Sequence, residues 1–224
     1  MMLGFIKNPH MDGVIHGRTV PVFASESGVQ DRSLIAEKEI VVLIIAAKSN
    51  HPLGVLAPGY KAIGDMFTGM IKDLEENATT YGFMGASHWL STERGANHET
   101  MSVCYFESAE GLHAFAHGPL HVDSMNWWKQ GYAGFGHIAI MHEVYAVPRK
   151  SYEAVYLNYA PTGLQDTFSR ASIKDETGER EVWMSPMVYG EGPLRYSKGR
   201  MGRTLGSEEQ GVLDTRILKG DARI

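Results

Sequence analysis

The longest apolar run in the chain is EIVVLIIAAK, residues 39–48, a β-branched stretch short enough for a strand. Its apolar positions fall at both parities, so the strand needs cover on both faces. After the breaker SNHPLGVLAPG, residues 60–77 place Ile63, Met66, Phe67, Met70, Ile71 and Leu74 at steps of three and four. That spacing predicts an amphipathic helix. YGFMGASHWL then predicts a strand, STERGANHE a turn-rich connection, and TMSVCYFES a second strand.

Ser108 is a good helix N-cap with Glu110 in the first turn, and Leu112, Phe115 and Ala116 make an apolar stripe that Gly118-Pro119 stops. These signals predict a helix over about 109–117, followed by a second helical stretch over roughly 120–131 that carries Trp127 and Trp128. GHIAIMHEVYAV, residues 136–147, is again a long apolar strand. The order is β-α-β-β-α-β, so the expected class is α+β with a ferredoxin-like core.

Such a sheet carries helices on one face only, whereas 39–48 and 136–147 need cover on both. Two copies packed sheet to sheet would supply it, and the expected assembly is therefore a homodimer, a dimeric α/β barrel. Residues 1–38 show no sustained period and read as an N-terminal arm; 39–160 form the core; 161–224 form a C-terminal extension lying on the core or the partner, with one apolar patch at 182–190.

Composition narrows the class without changing this outline. At 224 residues, 43% hydrophobic and with a net charge of −5, the chain carries no electrostatic footprint for nucleic acid. No apolar run approaches the roughly 20 residues of a membrane span, and the N-terminus meets Pro and Asp too soon for a signal peptide, so a cytoplasmic location is expected. Cys104 stands alone, which excludes an internal disulfide and a thiolate metal cluster within one chain; its position reads as a small buried hydrophobe.

The chemistry-bearing motifs are fewer. There is no GxGxxG, GxxxxGK[ST], HExxH or GxSxG, and the absences together favour a cofactor-free pocket with no metal. His113 and His117 lie one helical turn apart, but Gly118-Pro119 breaks the helix before His121, so a metal triad is poorly supported and a pocket-wall or local hydrogen-bonding role is expected. In the last strand Ile138, Ile140, His142 and Val144 share one parity while Met141, Glu143 and Tyr145 share the other. An ionisable His-Glu pair in an apolar strand either satisfies buried polar groups or is poised for proton transfer. Trp89, Tyr105, Phe115, Trp127 and Trp128 supply aromatic surface for core packing or for a cavity taking a large apolar substrate.

YGFMGASHWLS, YFESAEGLHAFAHGPLH, WWKQGYAGFGHIAIMHEVYAVP and YEAVYLNYAPTGL together resemble the fungal monooxygenase-like family that includes the fumagillin-pathway monooxygenase, a relative of the antibiotic-biosynthesis monooxygenases. The resemblance covers roughly residues 39–168. It implies a dimeric α/β barrel that tailors a terpenoid or polyketide secondary metabolite without flavin, haem or metal, a base forming a carbanion that reacts with oxygen. On that reading His121, His142 and Glu143 are the candidate base and orienting groups. Trp89, Tyr105, Glu107, His113, Phe115, His117, Trp127 and Trp128 are candidate substrate contacts.

One departure matters. The family commonly reads Tyr-Trp-Arg-Ser where this chain has Tyr105-Phe106-Glu107-Ser108, so a cation is replaced by an anion. That leaves room for a cofactor-free cyclase or isomerase, such as a Diels–Alder catalyst, that lowers a barrier by orientation. A haem dehydratase of the aldoxime dehydratase kind and a small-molecule carrier are the further alternatives.

Overall fold

In the computed structural model the described residues are 8–203 apart from 33, 34, 94, 97, 176 and 177. The strands are β1 (Ile15–Pro21), β2 (Ile40–Ser49), β3 (Phe83–Leu90), β4 (Thr100–Phe106), β5 (Ile138–Val147), β6 (Tyr156–Tyr159), β7 (Ser169–Asp175), β8 (Gly178–Met184) and β9 (Met187–Tyr189). The α-helices are α1 (Tyr60–Glu76), α2 (Ala78–Tyr81), α3 (Ala109–Ala116), α4 (Pro119–Gly131) and α5 (Ser197–Arg200). The chain folds as two units, one of residues 39–148 and the other of the two flanking segments.

The 39–148 unit is a four-stranded antiparallel sheet in the order β3-β4-β2-β5, which is the ferredoxin-like arrangement that the element order predicts. The β-branched run of β2 sits in the middle, pairing along its whole length with β5 on one side and over residues 41–47 with β4 on the other. Helices cover one face. Leu74 of α1 and Leu112 and Phe115 of α3 close on Val41, Leu43, Phe83, Cys104 and Phe106 to make the core. Burying side chains of this size contributes about 1.5–3 kcal/mol each, and this drives the helices onto the sheet. The Ser108 hydroxyl accepts from the Gly111 amide at 3.1 Å, so the N-cap read from the sequence does start α3.

A bulge in β3 sets which side chains meet the helices. Phe83 pairs with Phe106 and Gly85 with Tyr105, so Met84 is the extra residue, and Gly85 takes φ 144. Past the bulge the parity is inverted. Ala86 and His88 now join Phe83 on the helix side, while Ser87 and Trp89 turn to the opposite face.

The flanks differ from the expected arms. Residues 1–38 read as irregular, yet β1 is the central strand of a sheet ordered β6-β1-β9. Its partners come from more than a hundred residues away, Thr19 lying opposite both Tyr156 and Tyr189, so no local hairpin signal marks it. The core unit correspondingly ends at Pro148 and not at 160, because β6 pairs with β1. Val20, Val22, Ile35, Ala36 and Leu194 form the core of the flanking unit, which also carries a β7-β8 hairpin. The expected arm's residues 1–7 and the extension's 204–224 lie outside the described residues. Among the described residues no helix is long and apolar enough to cross a membrane.

Candidate active site

The sheet register separates the candidate residues into two groups. On the helix side, one row runs His88, Ser102, Ile45, His142 across β3, β4, β2 and β5. On the opposite face the rows are Gly85, Tyr105, Val42, Tyr145, then Ser87, Val103, Ile44, Glu143, then Trp89, Met101, Ala46, Met141. His142 and Glu143 therefore point to opposite sides of the sheet, and with Glu143 go Trp89 and Tyr105, parted from every helix-borne candidate.

The helix-face row has a defined polar end. The His88 Nδ1 lies 2.6 Å from the Ser102 hydroxyl, and the Phe67 ring of α1 meets the His88 ring edge-on at 6.4 Å. Ser102 is buried, whereas His88 is exposed at its outer edge. At the other end of the row His142 is exposed between Ile140 and Val144, which remain 44% and 47% exposed on the same side. The result is an apolar strip with a histidine at each end, on strands three spacings or about 14 Å apart.

The opposite face has its own pair. The Tyr145 hydroxyl donates to Glu143 at 2.6 Å, and this hydrogen bond to the carboxylate holds the Tyr145 phenol above its ordinary pKa. Trp89, 45% exposed, and Met141, 42% exposed, stand in the next row.

The three regularly spaced histidines do not converge. His113 on α3 and His117 just past its end are both exposed, and the His117 Nδ1 donates to the His113 carbonyl at 2.8 Å, closing the end of that helix. His121 is half-buried beyond the Gly118-Pro119 break, its ring edge-on to Phe115 at 5.6 Å. Among the described residues no group of three or more His, Cys, Asp or Glu is arranged to hold a metal ion. Phe115, expected as pocket wall, is buried in the core against Tyr81 and His121, because it falls in the inward stripe of α3. Cys104 is buried and burial pushes its thiol up to about 12, so it is no nucleophile. Glu107 is half-buried at the end of β4, its amide donating to the Gly82 carbonyl at 2.7 Å.

Trp127 and Trp128 both stack on Phe135, at centroid distances of 4.7 and 5.8 Å. A Cβ on Gly131 would run into the Phe135 ring, so the glycine is what lets the ring lie against the end of α4. Two residues of this region escape a reading of the sequence. His88 is hidden by the bulge, and Phe135 by the glycine-rich turn in which it sits.

The family model described as monooxygenase af470-like matches residues 40–164. The chain belongs to that family. It is 29% identical over 197 residues to Monooxygenase af470 of Aspergillus fumigatus, an alignment covering 88% of this chain and 70% of the relative. Membership of the monooxygenase af470-like family makes the chain an enzyme of the monooxygenase-like class. Among solved structures it is similar to an aldoxime dehydratase, with 17% identity and a TM-score of 0.49 over 73% of this chain, and it spans only 44% of that protein's length. It is also similar to SnoaB, a cofactor-independent oxygenase from Streptomyces nogalater, with 12% identity and a TM-score of 0.33 over 50% of this chain and 95% of that one.

Proposed function

We propose that this enzyme is a cofactor-independent monooxygenase that tailors a bulky, apolar secondary metabolite, a terpenoid or polyketide with an enolisable position. The observation that carries the reading is the exposed His142 imidazole set between Ile140 and Val144 on the apolar helix side of the sheet. An imidazole in that setting meets the requirements of a general base for a carbon acid held by hydrophobic contact.

In this mechanism His142 takes a proton from the substrate carbon. The carbanion passes electrons to dioxygen, a C–O bond forms to give a hydroperoxide, and loss of water leaves a carbonyl. One oxygen atom ends in the product and one in water, with the substrate itself as reductant. The substrate's own apolar body, seated on Ile140 and Val144, keeps water from quenching the carbanion. His121, on the helix that follows α3, is the candidate orienting group. Glu143 faces the other side and works with Tyr145 instead.

The same reading includes a homodimer. β5 is an edge strand whose Met141 and Tyr145 are 42% and 50% exposed on the face without helices, the face that also carries Trp89 at the far edge of the sheet. A second copy meeting that face would remove the apolar surface from water and protect the edge. The test is mass spectrometry of candidate enolisable polycyclic substrates, run in air and anaerobically. A product formed only in air and carrying a new oxygen supports the reading. A product of unchanged mass formed equally without oxygen would replace it with cyclisation or isomerisation.

A further inference from the structure

We infer that His88 is a second catalytic residue, a neutral hydrogen-bond donor whose Nε2–H contacts the carbonyl or enolate oxygen of the substrate. The inference rests on the strip proposed above as the substrate site.

Ser102 fixes the tautomer of His88. Its hydroxyl is buried, and the one side-chain hydrogen bond it makes among the described residues is with the His88 Nδ1 at 2.6 Å. A serine hydroxyl carries one proton, and a buried proton without an acceptor loses its hydration uncompensated. If Nδ1 were protonated it would donate to the Ser102 oxygen, and the serine proton would have nothing to meet. If Nδ1 is bare, Ser102 donates to it and both atoms are satisfied. The buried partner therefore selects the tautomer with hydrogen on Nε2.

Nε2 is the outward atom. It has no hydrogen-bond partner among the described residues, and Phe67 packs edge-on against the ring and limits its rotation. A donor fixed in advance by a buried group, at the rim of an apolar strip, is suited to stabilising negative charge that develops on oxygen. His142, at the far end of the same row, is positioned to remove the proton whose loss creates that charge. A flat, conjugated substrate spanning Ile45 would reach both imidazoles, and the site is then selective for molecules whose acidic carbon is joined by conjugation to the oxygen that takes the charge.

Two readouts on the full chain, neither using oxygen or turnover, test this. In nitrogen-15 spectra of the imidazole rings at neutral pH, His88 should carry its proton on Nε2, and Ser102→Ala should shift population toward Nδ1–H. A wild-type ring protonated on Nδ1 would overturn the inference. With 2-naphthol as probe, the wild type should bind the naphtholate about tenfold more tightly than the neutral phenol. His88→Gln, which keeps an N–H near the Nε2 position, should preserve most of that preference, and His88→Phe should abolish it. Absence of binding, or a preference that His88→Phe leaves intact, would also overturn it. If the tautomer and the naphtholate preference hold while no oxygen is incorporated in turnover, the monooxygenase reading fails and the donor stands.

Discussion

Tyr145 donates a 2.6 Å hydrogen bond to Glu143 on the face of the sheet turned away from His142. Two neighbours in sequence, both candidate proton carriers, thus serve different surfaces. The carboxylate raises the pKa of the Tyr145 phenol, so whatever stability the pair supplies is present below the ordinary tyrosine range and is lost as the pH rises through the higher folded value. Glu143→Gln should let Tyr145 ionise at lower pH. Ultraviolet titration against a Tyr145→Phe control measures this.

The oligomer depends on the same face. Met141→Lys should weaken a dimer formed through the open side of β5 and shift the sedimentation profile toward monomer, while the substituted chain keeps its helical circular dichroism. Lysine here adds a charge that a buried interface would have to desolvate. A wild-type chain that sediments as a monomer at all concentrations would rule out the homodimer.

Gly131 should be intolerant of a side chain. A Cβ there meets the Phe135 ring, which also stacks on Trp127 and Trp128. Gly131→Ala should cost about 1–3 kcal/mol through overpacking. A lowered Tm together with a shift in tryptophan emission would separate this from a general loss of fold.

Cys104 should be silent toward thiol reagents until the chain unfolds. It is 1% exposed and its thiol is pushed up to about 12 by burial alone, so negligible thiolate is present at neutral pH. Labelling with a chromogenic disulfide should follow the denaturant transition. Fast labelling of the native protein would contradict the packing.

The core is legible in the sequence where a signal is local. β2, α1, β4, α3, α4 and β5 follow from run length, three-and-four periodicity, the Ser108 cap and the Gly118-Pro119 break. β1 is not legible, because a strand paired only with β6 and β9 leaves no mark near itself. The apolar residues of β5 do lie on both faces, as the pattern requires, and the single chain leaves many of them exposed. The site is only half legible. Parity separates His142 from Glu143, but parity counted from Phe83 puts Trp89 with the helices and His88 away from them. The extra residue at Met84 reverses both, and nothing in YGFMGASHWL announces a bulge except a glycine.

The most direct test of the proposed mechanism is oxygen-18 labelling, with wild type, His142→Gln and Glu143→Gln compared on one enolisable polycyclic substrate. The account predicts one labelled oxygen atom per product molecule, a rate about a hundredfold lower in His142→Gln, and a rate within about threefold of wild type in Glu143→Gln. An unlabelled product, or a His142→Gln enzyme as fast as wild type, would contradict it.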